Sequence, residues 1–115
     1  MSSLNELENA VLEKIVRDTS GDLLPLLGEQ LEGVSVVSRK NTGAGFFTTL
    51  KVEEAAKPIN ARVVGEVWAD IDGFNQPMTF LVFLRDGVIH KLEGASIDDS
   101  TVDVDFSNVR FVIRA

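Results

Sequence analysis

This chain predicts an α+β domain, with two N-terminal helices packed on one face of a mostly antiparallel sheet of about six strands. Three observations carry the expectation. Residues 1–33 space their apolar side chains at three- and four-residue steps, the period of a helix with one buried stripe. From Val34 onward the period falls to two, the alternation of a strand. Between Met78 and Glu93 two β-rich arms are joined by Asp86-Gly87, a pair suited to a type I′ turn because that turn needs φ > 0 at both central residues. Helices first and strands after is the pattern of helices layered on an antiparallel sheet. The 115 residues are the size of one domain and can bury a core. No repeat, low-complexity tract or boundary divides residues 1–115.

Taken in order, Ser3 and Glu6 have the spacing of a capping box, in which each side chain satisfies an orphan amide at a helix start. Leu4, Leu7, Val11 and Ile15 follow on one stripe, widened by Leu12, with acids leading and Lys14 and Arg17 trailing, as the helix dipole favours. A helix over about 3–18 is predicted, ended by Thr19-Ser20-Gly21. Asp22 is placed to cap a second helix over about 22–32, with Pro25 in its first turn, where a missing amide is harmless. Its Leu23, Leu24, Leu26, Leu27 and Leu31 predict a helix packed firmly down, weakened by Gly28 and ended by Gly33.

Strands are predicted over about 34–40 and 46–53, joined by Asn41-Thr42-Gly43-Ala44-Gly45. Gly43-x-Gly45 lacks the third glycine, lysine and following helix of a phosphate loop, so it reads as a hairpin turn. Phe46, Thr48, Leu50 and Val52 share one face; Phe47, Thr49, Lys51 and Glu53 share the other. Residues 54–61 connect, with one helical turn before Pro58. Over 62–72, Val63, Gly65, Val67, Ala69 and Ile71 alternate with Arg62, Val64, Glu66, Trp68, Asp70 and Asp72. Strands over 78–85 and 88–94 follow. The two-residue loop sets Arg85 opposite Val88, Phe83 opposite His90 and Leu81 opposite Leu92. Phe80–Leu84 is apolar without a break, which predicts an interior strand buried on both faces. A last strand over 101–113 has its alternation slip at Ser107-Asn108, so a bulge or tight turn is expected there.

Composition excludes several functions. The chain has no cysteine, which removes disulfides, thiolate metal sites and thiol nucleophiles together and is compatible with a cytoplasmic setting. Its start lacks the basic and apolar regions of a secretory signal, and no apolar run approaches the roughly 20 residues of a membrane span. A net charge of −7 argues against nucleic acid as a partner, because phosphate neutralisation supplies most of that affinity. The charge is unevenly spread: residues 34–64 carry Arg39, Lys40, Lys51, Lys57 and Arg62 against Glu53 and Glu54, between acidic flanks. That basic stretch is a solvated surface or a landing site for an acidic partner.

Catalytic constellations are absent from the pattern. His90 is the sole imidazole, so it would act as a lone acid or base in a pocket; packing in the sheet is the plainer role. Asp70, Asp72 and Glu66 lie on one strand face, but spacing along a strand gives neither the wrap of a calcium loop nor a reason for a raised pKa. Asp98, Asp99, Asp103 and Asp105 meet the same objection. Gly94-Ala95-Ser96-Ile97-Asp98 fails as a nucleophile elbow at its last position. No metal site or cofactor is expected.

Trp68 and Phe47 are out of place, because both fall on the more polar faces of their strands. If the helices cover Val63, Val67 and Ala69, then Trp68 sits on the uncovered side among Arg62, Glu66 and Asp70, and aromatics ringed by charge mark a contact surface.

Gly43-Ala-Gly-Phe-Phe-Thr48, and later Phe83-Leu-Arg-Asp-Gly87 with Leu92-Glu93-Gly94, resemble a group of short uncharacterised bacterial proteins over about residues 25–97. The resemblance implies a bacterial single-domain protein and nothing catalytic. The hairpin ending in Asp-Gly is also similar to the late strands of nuclear-transport-factor-2-like cone folds. Those folds place a third helix among the early strands, for which residues 54–61 are short, and they imply a pocket between helices and sheet.

The reading is a cytoplasmic, non-enzymatic protein–protein interaction domain that forms a homodimer through the face bearing Trp68, Phe47, Arg62, Glu66 and Asp70. A subordinate form is an immunity- or antitoxin-like inhibitor of another protein. The alternative is a cone-shaped small-molecule binder or minor enzyme whose pocket includes His90.

Overall fold

The computed structural model describes residues 3–19, 21, 23–53 and 57–115. Two helices, α1 (Glu6–Asp18) and α2 (Leu23–Glu32), precede strands β1 (Ser35–Asn41), β2 (Gly45–Lys51), β3 (Val63–Ile71), β4 (Met78–Arg85), β5 (Val88–Ala95) and β6 (Phe111–Ile113). The strands form one sheet in the order β1-β2-β5-β4-β3-β6, with every pairing antiparallel. The helices pack on one face, which is the expected α+β architecture. Neither helix is long and apolar enough to cross a membrane.

α1 is capped two residues later than expected. Asn5 is the cap: its side chain accepts from the Glu8 amide at 2.8 Å, and Glu8 Oε1 accepts from the Asn5 amide at 2.8 Å. Ser3-x-x-Glu6 has the same spacing, but Asn5-x-x-Glu8 wins because the Glu8 carboxylate also finds partners on the sheet. Leu7, Val11, Leu12 and Ile15 are buried as the stripe requires. The cap expected at Asp22, and Ser20 in the break before it, lie outside the described residues. In α2 the leucines divide rather than packing down together: Leu27 is buried, Leu26 and Leu31 half-buried, and Leu23 and Leu24 exposed. The buried polar side chain is Gln30. Its Nε2 donates to the carbonyls of Lys57 (2.8 Å) and Gly87 (3.0 Å), and its Oε1 accepts from the Ile89 amide (2.8 Å). Those bonds tie α2 to the β4–β5 turn.

Asp86 and Gly87 turn with φ of 53° and 79°, both positive as expected. β4 is interior, flanked by β5 and β3, with Met78, Phe80 and Val82 buried towards the helices and Thr79, Leu81 and Phe83 half-buried on the other side. The register departs from expectation one step past the turn. Arg85 does face Val88, but a bulge makes His90 the extra residue, so Phe83 faces Lys91, Val82 faces Leu92 and Leu81 faces Glu93. Burial explains the shift. A regular ladder would hold Leu92 opposite the outward Leu81, whereas the bulge returns it to the core side opposite Val82, and both are wholly buried.

A second bulge lies between Val64 and Val67 of β3. Gly65 adopts φ +83°, and a Cβ there would come within 2.7 Å of the Ile15 side chain, so glycine alone lets the bulge pass under α1. Beyond it Val67, Ala69 and Ile71 are buried and Trp68 and Asp70 face away, as expected. Before it the faces exchange: Val64 turns to the core and Val63, 43 % exposed, turns out.

The expected strand over 101–113 shrinks to Phe111–Ile113. Residues 101–108 are turns, with the Val104 amide donating to the Thr101 carbonyl and the Asn108 amide to the Asp105 carbonyl. The buried Thr101 hydroxyl donates to Asn41 Oδ1 and accepts from the Gly45 amide, which fixes this segment beside the β1–β2 turn instead of in the sheet. The Asp105 carboxylate accepts from the Ser107 amide and Asn108 Nδ2, a local alternative to strand pairing. In the 54–61 connection, residues 54–56 lie outside the described residues and 57–61 are not helical. Ile59 is buried, and its amide donates to the Gly87 carbonyl at 2.7 Å.

Candidate functional site: the outer face of the sheet

Opposite the helices the sheet presents two rows of side chains. The Cα partners Phe47, Glu93 and Leu81 make one row; Thr49, Lys91, Phe83 and Val63 make the next. Trp68, paired with Thr79, stands one row further along β3. Phe47, Leu81, Phe83 and Trp68 are half-buried and Val63 exposed, so five large apolar side chains lie on the side away from the helices. Trp68 stands at its margin, where it shares an open groove of about 390 Å³ with Lys14 and Asp18 of α1.

The charges among them are held in particular ways. Lys91 Nζ lies 5.0 Å from the Phe47 ring centroid and 5.4 Å from that of Phe83, where the ring faces attract a cation. The Trp68 indole donates to Glu66 Oε1 at 3.1 Å. Arg114 donates twice to Asp70, at 3.0 and 2.9 Å, and these bonds hold the Asp70 carboxyl below its usual range and the guanidinium above its own. Among the described residues, neither Lys91 nor Glu93 takes part in an ion pair or a side-chain hydrogen bond with a neighbour.

Of the residues expected here, Phe47, Trp68, Glu66 and Asp70 lie on this face. Arg62 does not belong beside Trp68: it precedes β3, and the Gly65 bulge gives the outward place to Val63. His90 is the bulged residue of β5, and its pKa is lowered by burial first, then by the positive charges of Arg85 and Lys91. The grooves between α1 and α2 and beside Glu8 are lined without it. The expected pocket between helices and sheet has its place taken by core side chains, among them Leu7, Val11, Ile15, Leu27, Phe80 and Val82. Open grooves lie at the surface instead. One of about 510 Å³ runs between α1 and α2, past Leu12, Val16 and Leu31. Another, of about 250 Å³, lies beside Glu8 and Arg39. Among the described residues no three acidic or histidine side chains converge on a metal-sized site.

Sequence reasoning missed the polar cluster under α1. Glu8 is wholly buried; its carboxylate accepts from Arg39 Nε (2.9 Å) and Nη2 (2.7 Å) and from the Thr48 hydroxyl. Burial pushes this carboxyl up, but the Arg39 bonds, followed by those of Thr48 and the Asn5 amide, outweigh it and leave the pKa below the ordinary value. Position was the available signal, since Glu8 stands four residues from both Leu4 and Leu12 on the apolar side of the helix. With every buried partner satisfied, the cluster reads as a lock between helix and sheet.

Both sheet edges are poor templates for strand addition. β1 is bulged between Val36 and Ser38 and carries Arg39 and Lys40. β6, the other edge strand, is only three residues long, and the stretch of β3 it leaves open is bulged at Gly65. Bulges and charges are the means by which edges avoid pairing with other chains. Searches of protein-family models, curated proteins and solved structures find no match to this chain.

Proposed function

We propose that this is a non-enzymatic protein–protein interaction domain that self-associates through the outer face of its sheet. The observation that carries the reading is the cluster of Phe47, Val63, Trp68, Leu81 and Phe83 on the side opposite the helices. A two-layer fold buries one sheet face by itself, and a second apolar face gains only from cover by another surface. The blunted edges direct that cover to the face. The small-molecule alternative has less support, because core side chains occupy the space where its pocket would form.

Sedimentation or light scattering over a range of concentrations tests the reading. The expected result is a dimer that Trp68→Ala weakens by about tenfold or more, the loss typical of a buried interfacial tryptophan. The melting temperature of the monomer should change little. A wild-type protein that stays monomeric at every concentration, with Trp68→Ala indistinguishable from it, overturns the proposal.

A further inference from the structure

Resting on that self-association, the arrangement of charge on the outer face selects how the two copies meet. We propose that they pack face to face about a two-fold axis that crosses the strands at right angles, between the Leu81–Glu93 row and the Phe83–Lys91 row. Each Lys91 then meets Glu93 of the second copy, and each Phe83 meets its Leu81.

The argument begins with Lys91. Its ammonium is held near the Phe47 and Phe83 rings, in the middle of the apolar patch, away from the rim where a lysine ordinarily keeps its head in water. A surface that covers this patch must supply a counter-charge, since a buried unpaired ammonium is strongly unfavourable. The chain itself supplies one on the adjoining outward position. Glu93 lies two residues along β5 and faces Phe47 and Leu81. It too is without a charged partner among the described residues.

Symmetry then decides the orientation. In a two-fold interface residue i meets j while j meets i. An axis parallel to the strands maps each row onto itself, setting Lys91 against Phe83 or Lys91, and Glu93 against Leu81 or Glu93. That buries charges unpaired or against their own kind. An axis across the strands and between the rows exchanges the rows. Lys91 then meets Glu93 twice, Phe83 meets Leu81 twice and Thr49 meets Phe47 twice. Sheets stacked with strands within about 30° of each other keep these rows in register near the axis.

Charge exchange between two variants tests the arrangement. Lys91→Glu and Glu93→Lys should each weaken self-association by about 100-fold, because each places like charges together at both contacts. Mixed in equal amounts, the two should form a heterodimer within about tenfold of the wild-type affinity, since every contact between them again joins opposite charges. Because the chain has no cysteine, Lys91→Cys and Glu93→Cys provide a second measurement on milder variants. Under a mild oxidant their mixture should cross-link several-fold faster than either alone. A wild-type dimer whose single variants are unaffected, or whose mixture is no tighter and cross-links no faster than the separate variants, overturns the axis and leaves self-association standing. A wild-type monomer at all concentrations overturns both.

Discussion

Arg39→Met is expected to destabilise the domain by about 2–3 kcal/mol at neutral pH, below the loss typical of a fully buried ion pair because the Arg39 side chain is itself 35 % exposed while Glu8 is not. Glu8 has no exposed surface, and its two bonds from Arg39 are the charged ones among its contacts. Without the guanidinium the carboxylate keeps only the Asn5 amide and the Thr48 hydroxyl, and burial becomes the dominant influence on it. The pH dependence should therefore change sign. In the wild type Glu8 titrates below its ordinary value, so its contribution is present above the unfolded pKa of roughly 4.3 and is lost as pH falls through the folded value. In Arg39→Met the folded pKa lies above the unfolded one. The contribution is then complete below the unfolded value and is lost as pH rises through the folded one. Urea unfolding followed by the fluorescence of Trp68, the chain's one tryptophan, between roughly pH 3 and 7 should show opposite slopes for the two proteins. Parallel slopes would mean that Glu8 does not hold the helix by its charge.

The legible parts of the fold were those set by local chemistry. The Asp86-Gly87 turn, the helical stripe Leu7–Val11–Ile15 and the interior placement of Phe80 and Val82 need no long-range information, because the turn and the period decide them. The two bulges did. Whether His90 or Lys91 faces Phe83 depends on whether Leu92 is drawn to the core, and that depends on the helices above it. Gly65 inside the alternation of β3 was a readable sign of a bulge; its effect on Val63 and Arg62 came from the close approach of Ile15. The alternation over 101–106 misled because Asp103 and Asp105 suit turns as well as solvent-facing strand positions. Thr101, bonded to Asn41 and Gly45, settled the choice from far away in sequence.

The candidate face was legible through Trp68 and Phe47, which break the polar side of their strands. Its centre was not. Lys91 becomes its pivot only after the His90 bulge brings it opposite Phe83 and, across β2, beside Phe47. With the ladder left regular, Lys91 would face the core side and Leu92 would replace it on the surface. A single inserted residue thus determines both the core packing and the charge pattern of the outer face.

That pattern also relies on how closely β2 approaches β5 at its first residue, and Gly45→Ala should therefore cost the most of any glycine replacement in the β1–β2 turn. Gly45 has φ +137°, a conformation side chains rarely adopt, and a Cβ built there would run into the Gly94 carbonyl. That obstacle is backbone and cannot rotate away. Its amide donates to the Thr101 hydroxyl at 2.9 Å, and its carbonyl accepts from the Thr42 amide at 3.0 Å. Relieving the clash would loosen the turn and the Thr101 anchor together. Backbone strain of about 1–3 kcal/mol and overpacking of about 1–3 kcal/mol add to a loss of roughly 2–6 kcal/mol, a large share of a small domain's stability. Gly43 provides the control. Its φ of +84° is strained for alanine, but the nearest obstacle is the exposed Val102 side chain at 3.4 Å, so Gly43→Ala should lose only about 1 kcal/mol. Urea midpoints should rank the wild type above Gly43→Ala and Gly43→Ala well above Gly45→Ala. Equal losses at the two positions would show that φ alone sets the requirement and that the closeness of β2 to β5 does not.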